Sequence, residues 1–346
     1  FGVGALRFAP APLNLGVRLF ANTHLCFIRP PQPSMKELPF FLLLCTTLQF
    51  GNLALADDSG RQNVIQALRV KAESGDIIAQ EKLGVILYDG HGTKRNIKEA
   101  LYWFEKAAEK NLPIAQYNTA QIYREGSAGA PDPVLSIYWY MRAAEQGYAA
   151  AQSNIGGVYL TGFGVAKDFE KAAYWYRKAA EQGYPRAQFN LGLLYEEGRG
   201  VSRDYKIAMD WYTKAAEQNY ANAQFQIGIM YHEGSGVPEN NEIAAQWLTK
   251  AAEHGHDYAT YTLAQFYEFG WGVSKSAEHA FKLYLKAANM NVVEAQYNAG
   301  ICLYNGQGVI ANRPEAMKWF RRAASSGYVL ANETLMKIES AKNANN

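Results

Sequence analysis

The sequence predicts an all-α chain, an α-solenoid of seven 36-residue antiparallel helix-turn-helix repeats with terminal capping helices. Three observations carry this. An Ala-Ala pair recurs with its first member at Ala107, Ala143, Ala179, Ala215, Ala251, Ala287 and Ala323, always 36 residues apart. Trp103, Trp139, Trp175, Trp211, Trp247 and Trp319 keep the same spacing, with Leu283 as the one departure, and so do Gly90, Gly126, Gly162, Gly198, Gly234, Gly270 and Gly306. A residue with a side-chain oxygen opens every second helix, at Asn96, Asp132, Asp168, Asp204, Asn240, Ser276 and Asn312, where it can accept from the free N–H groups of a first turn.

In chain order, residues 1–34 carry no repeat and no initiating Met, and read as sequence translated from upstream of the true start. Residues 35–56 read as a signal peptide: Lys36 follows Met35, an apolar stretch runs from Pro39 to Phe50, and Ala54-Leu55-Ala56 is a small-x-small cleavage site. Cleavage there would leave Asp57 as the mature terminus and place the protein in the periplasm or outside the cell. Residues 57–74 align with the second helix of a unit and are expected to be an N-terminal capping helix, because the end units of a stack must cover apolar faces. The repeats occupy 75–330, and 331–346 form a C-terminal capping helix and tail.

Within a unit, Ala187, Leu191, Gly192 and Tyr195 fall at helical spacing and give the first helix one apolar face. A G-x-G turn follows. In the second helix Ala172, Trp175, Tyr176, Ala179 and Ala180 form the apolar stripe, and Lys178 with its equivalents sits near the C-terminal end, where the helix dipole favours a cation. Asn111, Gly147, Gly183, Asn219, Gly255, Asn291 and Gly327 end the second helices; Gly and Asn enter the left-handed conformation at least cost. Small residues opposite large ones let helices approach closely while the rings fill the remaining volume.

The pattern A-x-x-x-L-G-x-x-Y-x-x-G-x-G-V from Ala187 to Val201, with K-A-x-x-W-Y-x-K-A-A-E-Q-G-Y from Lys171 to Tyr184, resembles the Sel-one-like repeat (SLR), a relative of the tetratricopeptide repeat, over about 256 of 346 residues. The resemblance implies a right-handed superhelix of helix pairs that binds other proteins. Unit two departs at GSAGAPDP, where Ala128 replaces the second Gly. Unit six departs with Leu283 in place of Trp and Tyr261 after Thr260. Altered loops or contacts are expected at these places, with the fold intact.

Other chemistry finds little support. Removing residues 1–56 takes Lys plus Arg from 34 to 30 and Asp plus Glu from 32 to 31, a formal charge of −1 without a basic stripe, which argues against nucleic acid. No apolar run in the repeats could span a bilayer. Gly162-Phe163-Gly164 and Gly198-Arg199-Gly200 follow helices and lack a G-K-S/T ending, so they read as turns and not as phosphate loops. The turn histidines His254 and His256, and His232 at a helix end, lack a third ligand at metal spacing. Cys302, the one cysteine after residue 56, reads as a buried small hydrophobe. No cofactor and no metal are expected.

Two function classes follow: a non-enzymatic binding scaffold, or a hydrolase on cell-wall or β-lactam amides, for which no S-x-x-K nucleophile motif exists here. For the scaffold, the first helices carry an aromatic row at Tyr117, Phe189, Phe225, Tyr261 and Tyr297, and an amide row one residue later at Asn118, Asn154, Asn190, Gln226 and Asn298. By resemblance to tetratricopeptide grooves, the amides would pair with the main chain of an extended protein segment and the rings would hold its apolar side chains. The alternative is that the rings pack between units and the amides tie helices together. Arg124, Leu160, Glu196, His232 and Glu268 vary from unit to unit, as a surface that reads one partner requires.

Overall fold

The computed structural model describes residues 58–344, in which every regular element is a helix. The upstream segment 1–34 and the signal-like segment 35–56 lie outside the described residues. Helix α1 (Asp58–Glu73) comes first. Seven pairs follow: α2 (Ile77–Asp89) with α3 (Ile97–Glu109), α4 (Pro113–Glu125) with α5 (Pro133–Glu145), α6 (Ala149–Thr161) with α7 (Phe169–Glu181), α8 (Pro185–Glu197) with α9 (Tyr205–Ala216), α10 (Ala221–Glu233) with α11 (Asn241–Glu253), α12 (Asp257–Phe269) with α13 (Ala277–Asn289), and α14 (Val293–Asn305) with α15 (Arg313–Ser325). Helix α16 (Val329–Ala344) ends the series. The described residues fall into two compact bodies, one ending at Arg203 and the other beginning at Asp204. In each, consecutive helices pack on one another as in an α-solenoid.

The helix ends are where the sequence puts them. All seven second-helix N-caps accept from the first turn; Asp168, for example, takes the Lys171 N–H at 2.9 Å. At the other end Asn111, Asn219 and Asn291 adopt φ of 64°, 63° and 69°, and the corresponding glycines are equally left-handed. The N–H groups after these residues then reach back into the helix, as Tyr148 N does to Ala143 O at 3.1 Å.

Packing within a pair sets a small residue against a large one. A Cβ added to Gly156 would meet the Tyr176 ring at 2.7 Å, and one added to Gly300 would meet Phe320 at 2.6 Å. The structure corrects the expected stripe at one point. Tyr140, Tyr176, Tyr212, Tyr284 and Phe320, each one residue after the Trp position, are fully buried; of the Trp residues, Trp103, Trp139 and Trp319 are buried as expected, while Trp175, Trp211 and Trp247 are half-buried. Each half-buried Trp ring takes the cation three residues on; Lys214 Nζ stands 4.0 Å from the Trp211 centroid and Lys250 Nζ 4.3 Å from that of Trp247.

The turn glycine explains the departure in unit two. A Cβ on Gly200, at φ 66°, would sit 2.2 Å from the Phe169 carbonyl group of the preceding second helix, so the regular loop needs Gly there. Ala128 is not left-handed; the loop around it bonds Gly129 N to Gly126 O at 3.1 Å and tucks Ala128 against the neighbouring core.

Candidate partner-binding face of the first helices

Below the two predicted rows lies a ladder that sequence reading missed. Gln80, Gln116, Gln152, Gln188, Gln224 and Gln296 are buried, and each donates its Nε2 to the alanine carbonyl at the end of the preceding second helix, as Gln116 does to Ala108 O at 3.1 Å and Gln152 to Ala144 O at 3.0 Å. The other end of the amide is also used: Gln146 Nε2 donates to Gln116 Oε1 at 2.7 Å, and Gln182 to Gln152 at 2.7 Å. These bonds satisfy carbonyls orphaned at a helix end and fix the rotation of each first helix about its axis. Unit six has Thr260 in the ladder, and there Lys286 Nζ reaches the Ala252 carbonyl at 3.3 Å instead. The 36-residue recurrence of Gln was the available signal.

With that rotation set, the aromatic row turns inward. Phe189, Phe225, Tyr261 and Tyr297 are buried, and Tyr117 is partly so. Each ring with a described partner wedges against the second helix of its own unit or the residue that leads into the next first helix. Tyr117 packs on Tyr140 (5.7 Å between centroids) and Tyr148 (5.3 Å), Phe225 stacks on His256 (4.5 Å), and Tyr297 packs on Phe320 (5.7 Å) and Tyr328 (5.4 Å). Burial raises the Tyr117 and Tyr261 hydroxyl pKa values and lowers that of His256 to about 4, so His256 is a neutral ring that accepts the Ala259 N–H at 3.0 Å.

In the amide row, Asn118 is half-exposed while Asn154, Asn190, Gln226 and Asn298 are buried. Aromatic and amide rows meet between consecutive units. Tyr297 Oη lies 3.3 Å from Thr334 Oγ1 in the row of the following helix, and Asn154 acts on the Tyr117 hydroxyl from close by, although its Nδ2 falls outside hydrogen-bond geometry. The Tyr117 hydroxyl takes Gln121 Nε2 at 2.9 Å. The varying residues Arg124, Leu160, Glu196, His232 and Glu268 all stay half-exposed at the rim of the first helices.

Two members of the aromatic row were overlooked because they are not aromatic. Glu81 and Ser153 occupy it in units one and three. Both are buried, and Glu81 Oε1, Ser153 Oγ and Asn154 Nδ2 have no hydrogen-bond partner among the described residues. Burial pushes the Glu81 carboxyl up to about 7, with Lys82 as the opposing charge.

Compared with known protein families, the chain matches the Sel1 repeat in seven consecutive copies covering residues 77–112, 113–148, 149–184, 185–220, 221–256, 257–292 and 293–328. The chain belongs to the Sel1 repeat family. Solved structures agree. A protective antigen of uropathogenic Escherichia coli strains with an SLR fold is similar at 36% identity and TM-score 0.70 over 77% of this chain; the match takes in 57% of the antigen, so the chain spans little more than half its length. A Sel1 repeat protein from Oxalobacter formigenes is similar at 32% identity and TM-score 0.68, over 84% of both chains. None of the curated proteins compared matches. Sel1 repeats are generally protein-interaction scaffolds, and the partners this fold suggests are proteins.

Among the described residues there is no group of three His, Cys, Asp or Glu able to hold a metal ion, and no helix long and apolar enough to cross a membrane. Cys302 is buried and its thiol is pushed up to about 12, which leaves it protonated at neutral pH.

Proposed function

We propose that this Sel1 repeat protein is a non-enzymatic scaffold of the bacterial envelope or secreted space, holding an extended segment of a partner protein along its first helices. The observation that carries the reading is the division of labour on those helices. Residues that cap, pack and join the units recur with few departures, whereas Arg124, Leu160, Glu196, His232 and Glu268 put four residue types at one half-exposed position in five units. A frame that must only stand up has no need of that variety; a surface that reads one segment does. Burial moves the weight of the reading within the predicted rows. Tyr117 and Asn118 keep accessible area, while Phe225, Tyr261 and Tyr297 serve a partner chiefly by holding the wall in shape. Export rests on the signal-like Met35–Ala56 segment.

Crosslinking and mass spectrometry on intact cells tests this, comparing the unaltered protein with the variant Arg124→Ala/Leu160→Ala/Glu196→Ala. The expected result is a crosslinked partner peptide on first helices that the variant loses with its melting temperature unchanged; undiminished capture would remove this surface from the account. An N-terminal reading of the exported protein is expected to begin at Asp57.

A further inference from the structure

We infer that the second helices of units one to three bind a neutral, extended glycan chain, its sugar rings laid on Tyr102, Tyr138 and Tyr174 and its hydroxyls taken by a polar cleft beside Tyr138. This face is separate from the first helices, so the two readings stand or fall independently. The three tyrosines recur 36 residues apart at one register of α3, α5 and α7, and are 50%, 47% and 48% exposed. Each meets the Trp that follows it edge to face, at 4.9, 4.9 and 5.2 Å between centroids. The three helices lie side by side: Ala107 of α3 and Trp139 of α5 are buried in one packed cluster, against which Trp175 of α7 also rests. Since each tyrosine sits one residue before a Trp that packs inward, the three rings share one exposed face.

The central ring is held in place without a ligand. Arg142 Nη1 donates to Tyr138 Oη at 3.0 Å while its Nη2 donates to Asn111 Oδ1 in the turn after α3, so one guanidinium positions the ring and ties the two helices together. Beside it Asn111, Arg142, Glu145 and Gln146 line an open cleft of about 300 Å³. The later units supply the contrast. Where Asp210 and Gln246 replace the tyrosine, Lys214 and Lys250 close over the Trp rings at 4.0 and 4.3 Å. In units two and three Arg142 and Lys178 stand back from the Trp rings at 5.7 and 5.9 Å and are shared with Tyr138 and Tyr174.

The chemistry selects the occupant. Lys106, Arg142 and Lys178 are each matched three residues on by Glu109, Glu145 and Glu181, so these rungs carry no net charge to draw a polyanion or a polycation. One turn before the rings, Lys98 and Glu99 on one side and Glu170 and Lys171 on the other bracket Val134 and Leu135, which interrupts any apolar strip long enough for an amphipathic helix. A sugar fits what is left. A pyranose presents an apolar C–H face to an aromatic ring and a rim of hydroxyls that both donate and accept. With Asn111 Oδ1 taken by Arg142 and Gln146 Nε2 by Gln116, the Asn111 Nδ2 donor, the Gln146 Oε1 acceptor and the Glu145 carboxylate remain for those hydroxyls. A β-linked chain is a flat ribbon suited to three rings in a row, and weak contacts along one chain reinforce one another through effective concentration.

Isothermal titration calorimetry of the full chain with cellohexaose, N-acetylchitohexaose and, as the charged comparison, hexagalacturonate tests the site, repeated on Tyr102→Ser/Tyr138→Ser/Tyr174→Ser with thermal melting of both proteins. At least one neutral hexamer is expected to bind, its disaccharide and hexagalacturonate more weakly, and the triple variant is expected to lose about ten-fold or more in affinity with its melting temperature unchanged. Failure of both neutral hexamers to bind the folded chain, equal binding of hexagalacturonate, or affinity that survives in the triple variant would overturn the site. So would loss of a crosslinked protein partner in that variant without sugar binding by the unaltered chain, which would assign the face to a protein. Should the triple variant fail to fold, Tyr138→Ser and Glu145→Ala, both at exposed positions, still decide: each is expected to weaken the hexamer several-fold, and unchanged affinity in both would overturn the site.

Discussion

Residues 58–203 and 204–344 share one 36-residue frame and differ in what they hang on it. From Asp204 onward the aromatic row is unbroken, with Phe225, Tyr261 and Tyr297 all buried against rings of their own body. Before it the row reads Glu81, Tyr117, Ser153 and Phe189, and at two of the four, Glu81 and Ser153, a buried polar atom has no partner among the described residues. The second helices differ as well: Tyr102, Tyr138 and Tyr174 are exposed at one equivalent position in units one to three, where later units have Asp210, Gln246, Lys282 and Lys318. Caps, turn residues and Ala pairs are common to both bodies. The repeated residues therefore explain stability, and the departures are the place to look for recognition.

The sharpest way to break this comparison is to strike the shared frame, where the two bodies should respond alike. Tyr176→Ala and Tyr212→Ala each remove a fully buried ring and should cost about 3–5 kcal/mol in denaturant unfolding. Trp175→Ala and Trp211→Ala, at half-buried positions, should cost about half as much.

Next come two buried groups that titrate in opposite senses, one per body. Glu81 rises from 4.5 to about 7, so folding favours its protonated form: the stability it contributes is complete below 4.5 and is lost as pH rises through about 7, a span worth roughly 3 kcal/mol. His256 falls from 6.5 to about 4, so its contribution is complete above 6.5 and is lost as pH falls to about 4, a similar span before compensation by Asp257, whose carboxylate lies 3.8 Å away. Glu81→Gln should leave a chain that weakens on acidification from 6.5 to 4, and His256→Asn one that strengthens from 7 to 4.5. Melting temperature against pH checks both; parallel profiles in the two variants would contradict the assignment.

A smaller effect is expected in the ladder. Gln152→Leu strips a hydrogen bond from Ala144 O and another from Gln182, and should lower stability by about 1–3 kcal/mol. Smallest of all, Tyr174→Ser at an exposed position should stay within about 0.5 kcal/mol by the same denaturation measurement.

Much of the fold was legible because each unit writes its own ends: Asp168 and Gly183 act locally, so identity alone places them. What was not legible depends on rotation about the helix axis. Trp175 and Tyr176 recur with the same period, and only the packing of Gly156 on Tyr176 decides which is buried. The same holds for the aromatic row. Spacing put Phe225 and Tyr297 on one stripe, but their partners His256 and Tyr328 come from the joins between helices, far along the chain. Gln116 and Gln152 were missed although perfectly periodic, since a polar residue between apolar ones reads as surface until its carbonyl partner is seen. Glu81 and Ser153 were missed for the opposite reason, because a search for recurrence passes over the units that break it.

Hydrogen exchange of the full chain with and without a display-selected peptide tests the central claim most directly. Recognition by the departures predicts slowed exchange confined to the first helices that carry Glu81, Asn118 and Asn154, with the second helices of the same units unchanged. Protection centred on the exposed tyrosines Tyr102, Tyr138 and Tyr174, or confined to the unbroken row at Phe225, Tyr261 and Tyr297, would contradict it.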